Sequence, residues 1–170
     1  MEVFDAIRTL LAVRSYQDKP VADGVLRRIL EAGRMSGSAS NRQPWQFIVV
    51  RDRERIKEVA AAAPTGPYIT QAPLVIVVAV DKSIRFSVSD GSRAIQNMML
   101  AAWGEGVGSN WVGFAGMVEG VKAVLDIPNE FEVLGVLPFG YPSLKLGLGR
   151  KTRKPLSEIA YRERFGQPFE

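Results

Sequence analysis

The sequence SGSASNRQPW, residues 36–45, leads directly into the apolar residues FIVV, 47–50. Small hydroxyl and amide side chains this dense do not form a hydrophobic core. We therefore expect a loop that offers hydrogen bonds at the mouth of a buried strand, where a flat ring with polar edges could dock. Taken alone, this stretch fits an ordinary Ser/Gly/Asn linker better, so other segments must decide between the two interpretations.

The composition limits the chemistry available to the chain. Its 170 residues are 46% hydrophobic, which predicts a single domain over residues 1–170 with a hydrophobic core. The sequence contains no Cys and no His, so Ser-His-Asp triads, Cys nucleophiles, disulfides and Cys/His zinc sites are excluded. We expect no metal site and no catalytic side chain. A chain of this kind either binds something or takes its chemistry from a cofactor.

The N-terminus and the charge pattern suggest a location and a ligand class. Residues 1–13 carry Glu2 and Asp5 and do not resemble a signal peptide, and the apolar run 74–80 is much shorter than the about 20 residues that cross a bilayer. We expect a soluble, cytoplasmic protein. The net charge is +4, and basic residues concentrate near the C-terminus at Lys145, Arg150, Lys151, Arg153 and Lys154. That excess suits a small anionic ligand, although a solvated tail explains such a cluster as well.

Hydrophobic periodicity predicts alternating helices and strands. The predicted helices lie at 3–11, 25–30, 53–63, 92–105 and 118–125, and the predicted strands at 46–50, 74–80, 110–112 and 133–139. No repeat, low-complexity tract or linker marks a second domain. The pattern indicates an α/β or α+β sheet covered by helices.

The usual phosphate-binding loops are missing. Gly104, Gly106 and Gly108 follow a predicted helix rather than a strand, and Ser109 stands where a dinucleotide-binding motif needs its third glycine. No Walker sequence is present. Side chains would have to hold a phosphate, and the candidates are Arg14, Ser15, Lys151 and Arg153. Each is weakly indicated alone, because most Arg and Lys residues are surface charges.

Six segments, in this order, resemble the nitroreductase family of FMN-dependent oxidoreductases. They are Arg14-Ser15-Tyr16 ahead of Pro20-Val21; residues 36–45 with 47–50; Ala72-Pro73 ahead of 75–80; Asp90-Gly91 with 96–102; 106–109 ahead of Trp111; and Gly140-Tyr141-Pro142 followed by 153–156. Each segment is unspecific by itself, but together they cover nearly the whole chain. The resemblance implies an α+β, three-layer sandwich with a central mixed sheet flanked by helices. It also implies a C-terminal extension that wraps the partner subunit of a homodimer.

The resemblance also implies roles for matching residues. Arg14 and Ser15, together with Lys151 and Arg153, would hold the FMN phosphate. The loop residues Gly37, Ser38, Ala39, Asn41 and Gln43 would reach the flavin from the other subunit, and backbone groups near Val112 and Gly113 would face its N5 side. We expect Trp45 and Trp111 to serve in packing.

The activity implied is reduction of nitroaromatic, quinone or related acceptors by NAD(P)H in two alternating hydride transfers. One alternative is another flavin reaction on the same fold: dehydrogenation, dehalogenation or flavin fragmentation. Others are a non-catalytic flavin or deazaflavin binder, or a basic interaction module at residues 145–154. We do not expect nucleic-acid binding, because no aromatic residues are interleaved with that basic cluster.

The chain departs from the family pattern at three positions. Family members commonly have basic residues where Val13 and Gln17 stand, and a proline where Gly37 stands. We therefore expect a weaker phosphate grip, or a related flavin as the cofactor. The loop should also be less rigid with glycine at position 37.

Overall fold

A computed structural model of the chain describes residues 1–114, 118–144 and 151–169. At its centre is a sheet of four strands: β1 Trp45–Val50, β2 Leu74–Asp81, β3 Gly108–Ser109 and β4 Phe131–Gly140. Their order is β1-β2-β4-β3, and all neighbouring strands pair antiparallel. A parallel bridge between Ala12 and Ser109 adds a short segment beside β3.

Helices cover both faces of this sheet. They are α1 Val3–Thr9, α2 Asp23–Arg34, α3 Arg53–Ala61, α4 Ser87–Gly104 and α5 Gly120–Val124, with 3-10 turns at Ala39–Asn41, Pro67–Gln71 and Leu156–Glu158. The side chains of β2 alternate between the two faces. Val75 and Val77 pack with α3 and α5, whereas Ile76 and Val78 pack with α2 and α4. The three-layer α+β architecture is confirmed, but the sheet is not mixed as predicted: its four strands pair antiparallel, and the parallel pairing is confined to the Ala12–Ser109 bridge.

The unbroken apolar sequence of β2 follows from this layering. A strand with one face in water alternates apolar and polar residues, whereas 74–80 are entirely buried because helices cover both faces. The β-branched Val and Ile residues also favour the extended conformation. Trp45, at the start of β1, is buried and stacks on Phe47, which confirms its packing role.

Several predicted element boundaries were wrong, and for two of them the structure shows the reason. α4 begins at Ser87 rather than at 92, because Ser87, Asp90 and Gly91 face the interior although Ser, Asp and Gly are weak helix formers. The third strand is Gly108–Ser109 rather than 110–112, where Val112 alone makes a bridge, to Val136. Glycine has a low propensity for β-strands. It is required at position 108 because the Val13 side chain lies so close to the strand backbone that a Cβ there would clash with it.

The two ends of the chain leave apolar side chains uncovered. In α1, Val3 and Phe4 are 74% and 73% exposed, and the helix buries Ala6. No residue of 151–169 is buried, and Phe165 is 91% exposed. The basic residues Lys145 and Arg150 lie outside the described residues. None of the helices within the described ranges is long and apolar enough to span a membrane.

Candidate functional site

The polar loop that follows α2 is anchored to α4 at two points. The Ala39 backbone N–H donates to Asp90 Oδ2 over 3.0 Å, and Asn97 Nδ2 donates to Ser36 Oγ over 2.7 Å. Asp90 is 1% exposed, and its other oxygen accepts from Arg93 over 3.2 Å. A buried carboxylate therefore ties the loop to the longest helix.

The loop backbone is held in an uncommon conformation. Ser40, Asn41 and Gln43 have φ values of 51°, 54° and 47°, the left-handed region that costs a non-glycine residue about 1 kcal/mol or more. Internal bonds compensate: Gln43 N donates to Ser38 Oγ over 2.9 Å, and Gln43 Nε2 donates to Asn41 Oδ1 over 3.2 Å. Asn41 and Gln43 are exposed, so the loop presents ordered amide groups to the outside. Such strain is concentrated at functional sites in proteins.

Gly37 lies at the exposed start of this loop. No heavy atom lies within 4 Å of the position that a Cβ would occupy, so the space around it is open. A Cβ at position 37 would therefore meet no neighbour among the described residues.

Arg14 and Ser15 lie on the segment that runs beside β3. Val13 N donates to Ser109 O over 2.9 Å, and Gln17 N donates to Tyr141 O over 2.8 Å, so the segment is fixed at both ends. The Ser15 and Ser143 hydroxyls share a hydrogen bond of 2.6 Å. The Arg14 guanidinium is exposed and lies over the Tyr68 ring, with Cζ 5.9 Å from the ring centroid.

Tyr68 and Asn110 belong to this region, and the sequence interpretation missed both. Asn110 Nδ2 donates to the Tyr68 hydroxyl. Tyr68 lies in residues 65–71, outside the six segments that resemble the family. Pro67, at the start of the 3-10 turn, was the available signal that this turn is rigid. Beneath them, burial, and then the neighbouring Tyr68, raises the pKa of Tyr16 well above its ordinary value.

Lys151 and Arg153 line a cleft of about 540 Å³ between α1 and α4. Its walls include the apolar side chains of Phe4, Ile7, Leu10, Leu11 and Met99. Lys151 Nζ donates to Ile7 O over 2.6 Å. Burial, and then the charge of Arg153, lowers the pKa of Lys151. A bound anion would relieve the repulsion between these two cations.

Val112 and Gly113 lie where the chain leaves the sheet. Val112 is buried and exchanges two backbone hydrogen bonds with Val136, of 2.9 and 3.0 Å. Gly113 has a φ of 74°, and a Cβ there would lie 2.5 Å from Val118 Cγ1, so this turn requires glycine. The backbone at this point is therefore well defined.

The structure thus places the predicted residues in separate groups on one chain. Lys151 and Arg153 share a cleft whose wall, through Leu11 and Ala12, continues toward Arg14. Across the described ranges, no hydrogen bond or salt bridge joins the loop residues 37–43 to Arg14, Lys151 or Arg153. No direct bond therefore couples the loop to the cations within the described ranges.

Comparisons with known proteins agree with this architecture. A protein of Methanothermobacter thermautotrophicus named NADH dehydrogenase/NAD(P)H nitroreductase is 37% identical over 150 residues, covering 84% of this chain and 78% of that protein. A Bacteroides thetaiotaomicron crystal structure with the same name superposes with a TM-score of 0.88 at 32% identity, covering 95% of this chain and 98% of that one.

A nitroreductase of Desulfovibrio desulfuricans, solved in complex with FMN, superposes with a TM-score of 0.82 at 30% identity, covering 97% of this chain and 98% of that one. The family model described as the nitroreductase family matches residues 8–68 and 60–141. These two matches together extend through all four strands of the sheet. The chain therefore belongs to the nitroreductase family.

Proposed function

We propose that this chain works as a homodimer in which NAD(P)H, and then a nitroaromatic, quinone or related acceptor, occupy one site in turn. Its relatives define the class as an NAD(P)H-dependent flavin oxidoreductase with FMN as the cofactor. The observation that carries the proposal is the apolar cleft at α1 with Lys151 and Arg153 at its edge. An apolar wall beside two cations suits a ligand with a flat ring and a phosphate.

The described side chains fit the FMN phosphate. Within the described part of the chain, Arg14, Lys151 and Arg153 form no salt bridge with a carboxylate. Their charges therefore remain available to an anionic ligand. Arg14 and Arg153 would donate charge-assisted hydrogen bonds, Lys151 would act as a point charge, and the Ser15 hydroxyl would complete the set.

The loop would orient the ring. FMN, when bound, supplies the atom that accepts a hydride from NAD(P)H and passes it to the acceptor. Asn41 Nδ2 makes no hydrogen bond within the described residues, so it is a free donor for the polar edge of a ring. An N–H donor held in place stabilises negative charge on that edge. Ser38 and Gln43 keep Asn41 in this conformation, and the turn at Val112 and Gly113 would offer backbone groups to the opposite edge.

A second copy of the chain would unite the two groups. Within the described residues no hydrogen bond or salt bridge joins the loop to the cations, whereas α1 and residues 151–169 expose apolar side chains that a partner would cover. In this arrangement the loop of each subunit would complete the flavin site of the other, with the ring held by one chain and the phosphate by its partner. Each dimer would then hold two FMN sites.

A titration with two flavins tests the phosphate site. Arg153→Ala should weaken FMN about tenfold or more, because a hydrogen bond to a charged group contributes about 1.5–3 kcal/mol, and should leave riboflavin affinity unchanged. Lys154→Ala, which removes a charge outside the cleft lining, is the matched control and should change neither. Equal losses of FMN and riboflavin affinity in Arg153→Ala would contradict the assignment.

Steady-state kinetics test the loop and the activity. The FMN-loaded protein should oxidise NAD(P)H faster when a quinone or nitroaromatic is added. Asn41→Ala should impair flavin binding or NAD(P)H oxidation more than Trp45→Phe, which retains most of the packing contact. A folded protein that binds FMN but does not oxidise NAD(P)H in the presence of any of these acceptors would be a flavin binder instead.

A further inference from the structure

Arg14 is the single cation on its segment. Residues 12–17 read AVRSYQ, and the side chains around Arg14 are used inside the fold. Val13 is buried against Gly108, and Gln17 Nε2 donates to Pro142 O over 2.8 Å. An anion that approaches this segment therefore meets one guanidinium, and the direction of that guanidinium decides the contact.

The aromatic ring of Tyr68 lies beside this guanidinium. An exposed Arg side chain samples many rotamers, and Arg14 has no carboxylate partner among the described residues. Instead, its Cζ lies 5.9 Å from the Tyr68 ring centroid, within the range of a cation–π interaction.

The Tyr68 ring is itself held at two points. Its backbone lies in the 3-10 turn Pro67–Gln71, where Pro67 fixes the first φ angle. Its hydroxyl accepts the hydrogen bond from the buried Asn110 side chain. Because one end is fixed by the turn and the other by Asn110, the ring is a rigid platform.

A ring orients an arginine without consuming its hydrogen-bond donors. A carboxylate would neutralise the guanidinium and occupy two or more of its N–H groups. The face of an aromatic ring attracts the cation and leaves the N–H groups free for a phosphate. This arrangement suits an arginine that is the one cation of its own segment and must keep its donors for a phosphate.

We propose that Tyr68 is a positioning residue whose ring aims the Arg14 guanidinium and thereby sets the preference of the site for FMN over riboflavin. The proposal rests on the proposed function, because it assumes that Arg14 contacts the FMN phosphate. It adds a residue of the 65–73 segment to the determinants of flavin choice.

Flavin titrations of single and double variants test this coupling. Tyr68→Leu should weaken FMN roughly two- to fivefold and leave riboflavin affinity unchanged, since an exposed cation–π contact is of that size. Tyr68→Phe retains the ring and should stay within about twofold of the unmodified protein. In an Arg14→Ala background, Tyr68→Leu should cause no further loss of FMN affinity.

A second readout needs no flavin. In the NMR spectrum of the unliganded protein, the ring current of Tyr68 should shift the Arg14 δ-methylene protons upfield. Tyr68→Phe should preserve that shift and Tyr68→Leu should abolish it. If Tyr68 served only in folding, the chemical shift of the Arg14 protons and the ratio of FMN to riboflavin affinity would not change together across these variants.

The outcomes separate the two proposals. If Arg14→Ala leaves the FMN-to-riboflavin ratio unchanged, the phosphate role of Arg14 is wrong, and the Tyr68 proposal fails with it. If Arg14→Ala lowers the ratio but Tyr68→Leu does not, or if the two losses add in the double variant, the Tyr68 proposal alone is overturned. Should Tyr68→Leu not fold, loss of the preference in Tyr68→Phe would overturn it as well.

Discussion

Asp90 offers the sharpest test of how the polar loop is held. Its carboxylate, in the first turn of α4, is buried and accepts hydrogen bonds from the Ala39 N–H over 3.0 Å and from the Arg93 guanidinium over 3.2 Å. Asp90→Ala removes both bonds. Asn97→Ala is the matched control, because it removes the other anchor between α4 and the loop, at Ser36, and leaves Asp90 in place.

The expected magnitudes differ between the two variants. A hydrogen bond to a charged acceptor contributes about 1.5–3 kcal/mol, whereas a neutral one contributes about 0.5–1.5 kcal/mol. The Arg93 pair adds at most about 1 kcal/mol, because the Arg93 side chain is 60% exposed. Asp90→Ala should therefore cost about 2–4 kcal/mol of unfolding free energy, and Asn97→Ala about 1 kcal/mol.

Amide hydrogen exchange gives a local measurement. If the Asp90 bond alone protects the Ala39 amide, its exchange should become roughly 10- to 100-fold faster in Asp90→Ala, because 1.4 kcal/mol corresponds to a factor of ten. In Asn97→Ala that amide should remain protected. Unchanged Ala39 exchange in Asp90→Ala, or equal acceleration in both variants, would refute the anchoring role.

Three further predictions concern stability and assembly. The pKa of Tyr16 is raised in the folded state, so the neutral Tyr16 contributes fully to the unfolding free energy below the ordinary tyrosine pKa of about 10, and this contribution is lost as the pH rises above that value. Between pH 8 and 10.5, the unfolding free energy of Tyr16→Phe should therefore fall less than that of the unmodified protein. Gly135→Ala should cost about 1–3 kcal/mol in urea unfolding, because its Cβ would clash with the Trp111 indole, whereas Gly104→Ala, with open space around it, should be neutral or slightly stabilising. Phe4→Glu should shift light scattering from dimer to monomer, and a flavin-loaded monomer of the unmodified chain would contradict the shared site.

The central elements could be predicted from the sequence because their signals are local. The run 74–80 is apolar at every position, which is enough to identify a strand buried on both faces. The boundaries that failed depend on tertiary contacts instead. Gly108 pairs in the sheet at a point where Val13 packs against it. The sequence around a glycine does not show which distant residue packs against it.

The same distinction applies to the candidate site. The loop 36–43 was visible because its composition cannot form a core, and Arg14 and Ser15 were visible through the family pattern. Tyr68 could not be identified from the sequence, because the contacts that single it out are with Arg14, 54 positions earlier, and with Asn110, 42 positions later. Contacts between distant positions leave no trace in the local pattern of one sequence.

The departures at positions 13 and 17 show how a neighbour changes the meaning of a residue. From the sequence, Val13 and Gln17 are two missing positive charges. In the fold, Val13 fills the space above Gly108, and Gln17 binds the chain at Pro142, so both residues align the backbone that carries Arg14. These two residues therefore hold the segment in place and leave Arg14 as its one cation. Because this segment carries one cation, its contact with an anion depends on the direction of the Arg14 guanidinium. The Tyr68 ring would fix that direction before the anion binds.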